Sequence, residues 1–182
     1  MEVDYKVYSS PKEAFEKRVL EVREAQKNGD PIFTPSSYGA FIAVDEDTKW
    51  RLRNMSLVHE QKDYEPPEHD SENTPILYTA TYNSIIRKMP DANKDEIFLF
   101  LATADPKRLG DEEMQRALFT RFAELQKNDM VAAIVNHQNP ADVATEQAEE
   151  VGAIASYFEA MKNAVQVDGN YFASDYMQSD AQ

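Results

Sequence analysis

From residue 139 onward the apolar side chains Ala144, Ala148, Val151, Ile154, Phe158, Met161 and Val165 recur at steps of three and four. That spacing lays one continuous stripe along a long helix, 139–165. Asn139 suits the N-cap, and Pro140 suits the first helical position, where its missing N–H costs nothing. A stripe of this length has to be buried, so the rest of the chain must supply a layer for it to lie on. The opposite face carries Asp142, Glu146, Glu149, Glu150 and Glu159. The helix therefore reads as two-sided. Val151, Ile154, Phe158 and Met161 are expected to anchor it to a sheet, while Glu146, Glu149 and Glu150 present charge outward. The near-heptad steps 151, 154, 158, 161 and 165 also fit a seam with a second copy, so a homo-oligomer through 151–165 is the competing reading.

The upstream segments supply the layer. Residues 2–8 alternate, with Val3, Tyr5 and Val7 on one face, and predict a strand. Ser10, Pro11 and Glu13 open a helix that Asn28-Gly29 closes. A strand is predicted over 38–44. A turn at 45–48 leads to a returning strand over 49–53, with Lys49, Arg51 and Arg53 on one face and Trp50 and Leu52 on the other. Residues 60–73 are acidic, broken by Pro66-Pro67, and predict a surface loop. A strand follows over 75–82, then a short helix over 83–89 ended by Pro90. The run Ile97-Phe98-Leu99-Phe100-Leu101 predicts a strand buried on both faces. Met114, Leu118, Phe122 and Leu125 predict a helix over 111–127, and the short apolar stretch 130–135 fits either a further strand or a helical turn, the strand being favoured. This order argues an α+β fold: a mixed central sheet, amphipathic helices packed mainly on one side, and a long C-terminal helix. It reads as one domain, 1–166, followed by an acidic, aromatic tail, 167–182, that carries Tyr171, Phe172 and Tyr176.

Charge narrows the function classes. The formal net charge is −14 over 182 residues. Residues 60–73 contribute −5 and residues 140–182 contribute −7, so two segments carry nearly all of it. Direct nucleic-acid binding is disfavoured, because a phosphate backbone demands a basic surface. No run approaches a membrane span. No positive n-region and apolar h-region follow Met1, so no secretion signal is expected. The absence of cysteine excludes disulfides and thiolate chemistry and suits a reducing compartment, so the expected location is cytoplasmic.

Catalytic patterns are sparse. The five glycines are too dispersed for a phosphate-cradling loop, and no Walker or dinucleotide fingerprint is present. His69 lies among Glu65, Glu68 and Asp70, an oxygen and imidazole set of the kind that holds a divalent metal, yet no helical ligand pair organises it. A solvated loop histidine is the expectation, and no cofactor or metal is assigned.

One segment is similar to a known family. Phe98-Leu99-Phe100-Leu101-Ala102-Thr103-Ala104-Asp105-Pro106, followed by Ala117-Leu118-Phe119-Thr120-Arg121-Phe122, resembles the sensor-1 strand and arginine-finger helix of AAA+ ATPases. The resemblance covers about 25 of the 182 residues. It implies a strand ending in Thr103 near a γ-phosphate, and Arg121 reaching a neighbouring subunit's nucleotide. With no P-loop, it implies a nucleotide-inactive subunit.

The interaction signals are stronger than the catalytic ones. They predict a non-enzymatic module, an inhibitor, adaptor or assembly subunit, that binds a basic protein surface through its C-terminal quarter. A DNA-mimic inhibitor of a nucleic-acid-binding protein is its most specific form. The expected contact residues are Glu146, Glu149, Glu150, Glu159, Tyr171, Phe172 and Tyr176. The alternatives are a structural subunit of a viral or other large assembly, and a divergent metal-dependent enzyme.

Overall fold

The computed structural model describes residues 7–31, 39–52, 55–68 and 73–162. Four strands, β1 Val7–Tyr8, β2 Gly39–Ile42, β3 Val58–Gln61 and β4 Ile76–Ala80, form one sheet in the order β1-β2-β4-β3. β1 runs parallel to β2, and β4 is antiparallel to both β2 and β3, so the sheet is mixed. The helices are α1 Pro11–Asn28, α2 Glu46–Leu52, α3 Ile85–Lys88, α4 Lys94–Thr103, α5 Pro106–Leu109, α6 Glu112–Val135 and α7 Pro140–Lys162. A 3₁₀ turn, Met89–Asp91, joins α3 to the start of α4. One face of the sheet sends Ala40, Ile42, Val58, Tyr78 and Ala80 into the main core, and α1 and α4 lie on that face. The architecture is α+β, with its long helix at the C-terminal end of the described chain.

α1 forms as its caps require. The Ser10 hydroxyl accepts from Glu13 N–H at 3.0 Å, and Glu13 in turn accepts from the Ser9 backbone and hydroxyl. Gly29 closes the helix at φ 72°, a left-handed conformation that glycine adopts without a Cβ clash.

The apolar run 97–101 is helix, not strand, and this is the main correction to the sequence reading. Asn93 caps α4, its side-chain oxygen accepting from Glu96 N–H at 2.8 Å. Residues 96–103 are all buried. The sheet lies under α4, α1 flanks it and α6 crosses above it, so the helix has no solvent face. An element enclosed on every side needs an unbroken apolar run whichever way its backbone is bonded, so periodicity cannot separate helix from strand here. The buried Glu96 carboxylate accepts from Ser56 N–H at 3.0 Å and Leu57 N–H at 3.4 Å, which ties α4 to the lead-in of β3.

Two other expected strands are also helical. Residues 49–52 belong to α2, because Asp45 acts as a cap and accepts from Thr48 N–H at 2.7 Å. Lys49 pairs with Glu46 at 3.5 Å and Arg51 with Asp95 at 3.4 Å, so these cations do not line a strand face. Residues 130–135 simply continue α6, with Asp129 held by Lys94 at 2.8 Å instead of ending the helix. The strands expected over 38–44 and 75–82 are present as β2 and β4, and the short helix before Pro90 as α3. Of the strand expected over 2–8, only β1 falls within the described residues. Of the acidic loop, 60–61 complete β3, and 69–72 lie outside the described residues, as do 167–182. Among the described residues no helix is long and apolar enough to cross a membrane.

Candidate partner-binding surface on the C-terminal helices

α6 and α7 form an antiparallel hairpin that turns through His137, whose φ of 60° places it in the left-handed region. The hairpin is locked by a reciprocal pair of amides. Gln126 Nε2 donates to the Gln147 carbonyl at 2.8 Å, and Gln147 Nε2 donates to the Gln126 carbonyl at 2.7 Å.

From Val151 onward the apolar stripe of α7 faces its own domain, whereas Ala144 and Ala148 are exposed. Ile154, Phe158 and Met161 are buried in the common core, and Val151 is packed against it. The heptad-spaced residues from 151 to 161 are therefore consumed within the chain and offer no seam to a second copy, while residue 165 lies outside the described residues. The helix rests on α1, α5 and α6, not on the sheet as expected. The Tyr157 hydroxyl donates to the Leu101 carbonyl of α4 at 2.8 Å. From α1, Gln26 donates to the Ala160 carbonyl at 2.8 Å and Arg23 to the Ser156 hydroxyl at 3.1 Å.

The acids of α7 divide into two groups. Asp142, Glu146, Glu149 and Glu159 are exposed. Glu146 keeps 68% of its side-chain exposure even though Lys12 stands 3.7 Å away. Glu150 departs from the expected outward face. Its side chain is only 10% exposed, and it accepts from Lys94 Nζ at 3.1 Å. Lys94 also reaches Asp129 and sits 5.1 Å from the Phe122 ring centroid, so one ammonium fastens the start of α4 to both helices of the hairpin. Burial pulls the Lys94 ammonium toward its neutral form, but the hydrogen bonds it donates to Asp129 and Glu150 outweigh it and hold the group above the usual lysine range. Glu150 thus carries structure, and Glu146, Glu149 and Glu159 are the expected contact residues left facing water. Tyr171, Phe172 and Tyr176 lie outside the described residues.

The sequence missed Lys94 because its three partners come from 28 to 56 positions away. Its only local signature is a cation in the first turn of a helix, where the macrodipole disfavours one.

The chemistry implied by the AAA+ resemblance does not assemble. Its strand is α4, the Thr103 hydroxyl is buried and donates to the Leu99 carbonyl at 2.8 Å, and Arg121 donates to the Ala92 carbonyl at 2.8 Å and to Glu124 at 3.1 Å. Both side chains are occupied in holding the fold. His69 and Asp70 lie outside the described residues, and among the described residues no three His, Asp or Glu side chains converge as a metal site. His59 joins a polar ladder on the sheet, with Nδ1 2.8 Å from the Thr81 hydroxyl and Nε2 2.9 Å from the Thr79 hydroxyl. Comparison with protein-family models, curated proteins and solved structures finds no match for the chain.

Proposed function

We propose that the chain is a non-enzymatic interaction module of the cytoplasm that binds a basic protein surface through the exposed acids of α7. It would act as an inhibitor, an adaptor or an assembly subunit. A DNA-mimic inhibitor of a nucleic-acid-binding protein is the most specific version. One observation carries the reading: from residue 128 to 161 the chain has six acids and no lysine or arginine. Among the six, Asp129 and Glu150 are fastened by Lys94 and Glu146 stands 3.7 Å from Lys12, while Asp142, Glu149 and Glu159 are exposed with their field directed at solvent. Exposed like charges of this kind steer a cationic partner and set the on-rate of association.

The test is capture of a basic partner by the wild-type chain and by an Asp142→Lys, Glu146→Lys, Glu149→Lys variant, each across a salt series. Exposed charges are screened over about 8 Å at physiological ionic strength, so binding should fall steeply as salt rises. The variant should not bind at all. Capture that ignores both salt and the reversed charges removes this reading.

A second reading, a subunit of a larger assembly, is favoured by the far end of α6. Val131, Ile134 and Val135 are 55, 54 and 69% exposed there, on one side of the helix. If that patch drives self-assembly, light scattering should show oligomers in the micromolar range that Val131→Glu with Val135→Glu returns to monomer. A monomer from the outset counts against it.

A further inference from the structure

β3 is the last strand in the order β1-β2-β4-β3, and among the described residues β4 is its one neighbour. The Thr81 N–H donates to the Leu57 carbonyl at 2.7 Å, and the register sets Val58 against Ala80, His59 against Thr79 and Glu60 against Tyr78. Hydrogen-bonded pairs alternate along an antiparallel ladder. His59 therefore turns its backbone groups toward β4, while Val58 and Glu60 turn theirs away. Two N–H and two C=O groups stand along this edge, which is a template for one further strand. The template is held in place from within, because the buried Glu96 carboxylate accepts from Ser56 N–H at 3.0 Å and Leu57 N–H at 3.4 Å just before β3.

A groove of about 390 Å³ lies beside the edge, with Lys49, Leu52, Met55, Glu60, Lys62 and Tyr78 in its walls. Tyr78 selects what can enter. Its side chain is only 2% exposed, yet it forms part of the groove wall, and its hydroxyl makes no hydrogen bond among the described residues. Burial, with Glu60 adding to it, keeps that hydroxyl protonated and so a donor. Glu60 brings an acceptor from the paired position on β3. Charged guests are opposed whichever sign they carry. A carboxylate meets Glu60, and an ammonium meets Lys49 and Lys62. A primary amide is neutral and matches both groups, offering its carbonyl to Tyr78 and its N–H to Glu60. Leu52 and Met55 give an apolar wall for a methylene stem.

We propose that β3 accepts one further strand, an extended segment of a partner polypeptide that directs a glutamine side chain into this groove. Main-chain hydrogen bonds to Val58 and Glu60 supply the affinity, and the amide between Tyr78 and Glu60 supplies the selectivity. In antiparallel pairing, a residue set directly against Glu60 shares its face of the sheet, which is also the face of Tyr78. A second copy of the chain is opposed by its own net charge of −14. The site takes no residue from α6 or α7, and its guest is uncharged, so it does not depend on the role of the acidic helix.

The test follows the backbone amide resonances of the isotope-labelled full-length chain by NMR. The probe is the acetylated, amidated peptide Thr-Val-Thr-Gln-Thr-Val-Thr. Saturable shifts are expected at Val58 and Glu60, and they should be the same at low and high salt. A peptide methylated on every backbone nitrogen should not bind. Replacing the central glutamine by leucine should weaken binding about tenfold, and replacing it by glutamate or lysine at least as much. Tyr78→Phe, which removes only the hydroxyl, should erase most of the preference for glutamine over leucine. The proposal is overturned if the peptide leaves both amides unmoved, if the methylated peptide binds as well, or if the glutamine preference is absent or survives Tyr78→Phe in full. Shifts of the same amides on concentrating the chain alone would give the edge to a second copy and overturn it too.

Discussion

Unfolding free energy should fall steeply once the pH passes about 10, and buried tyrosines are the cause. Tyr78 and Tyr157 are 2 and 1% exposed. Desolvation pushes the Tyr78 hydroxyl far above the tyrosine range, with Glu60 adding to it. Desolvation also pushes up Tyr157, partly opposed by Arg18. Tyr8 is raised to about 12 by burial and by Glu21, with a smaller energetic effect because it is less enclosed. In the unfolded chain each of these groups ionises near pH 10, whereas in the fold it stays protonated. The unfolded state therefore holds fewer protons in this window. The stabilisation is complete below about pH 10 and is lost as pH climbs toward the folded-state values. Each such group contributes about 1.4 kcal/mol per pH unit. Tyr78 and Tyr157 together then remove roughly 3 kcal/mol per unit, against a typical total of 5–15 kcal/mol. Lys94, held above its ordinary range, acts with the same sign. Urea unfolding at pH 9, 10 and 11 measures this directly. Tyr157→Phe and Tyr78→Phe should each flatten the alkaline slope by about 1.4 kcal/mol per unit, even where the loss of a hydrogen bond lowers stability at neutral pH. A slope unchanged in both variants would mean that neither hydroxyl is buried as described.

The second large effect is Phe98→Ala. Phe98 lies on the enclosed helix α4, 3% exposed, with its ring 5.4 Å from Phe15 of α1 and 5.7 Å from Phe122 of α6. Truncation removes contacts to two other helices at once, and the surrounding rings cannot all collapse into the gap. The expected cost is about 3–5 kcal/mol, the upper end of core truncations. Thermal unfolding should come down on the order of 10 °C, at roughly 2–4 °C per kcal/mol for a chain of this size. If 97–101 were instead a strand at the sheet, alternate residues would face opposite layers and Phe98 would not touch both helices. Double-mutant coupling between Phe98 and Phe122 tells these apart, because it should vanish in that case.

The sequence is informative where a rule acts locally. Ser10, Glu13 and Gly29 delimit α1, and the steps along 144–161 mark α7, because caps and stripes act over three or four residues. Reading fails where the deciding interaction is remote or where two rules coincide. Asp45 is as good a turn residue as a helix cap, and Lys49 and Arg51 alternate with Trp50 and Leu52 within what is in fact a helix, while Arg53 lies outside the described residues. The run at 97–101 satisfies every criterion for a buried strand. Asn93 three positions before Glu96 is the one local mark that favours helix. Of the candidate surface, the exposure of Glu146, Glu149 and Glu159 follows from helical phase alone. The inward turn of Glu150 does not, since it needs Lys94 from another helix.

The enclosure of α4 has a consequence for how the domain can come apart. The sheet layer needs α4 as its lid, and the α6–α7 layer needs it as its floor, so neither layer possesses a core that survives the loss of the other. A helix with no polar side cannot linger in water while it waits for one of them. Partial opening that strips either layer should therefore expose the most aggregation-prone segment of the chain. The safe excursions are confined to fraying at the rim, and the two layers share a single folding transition.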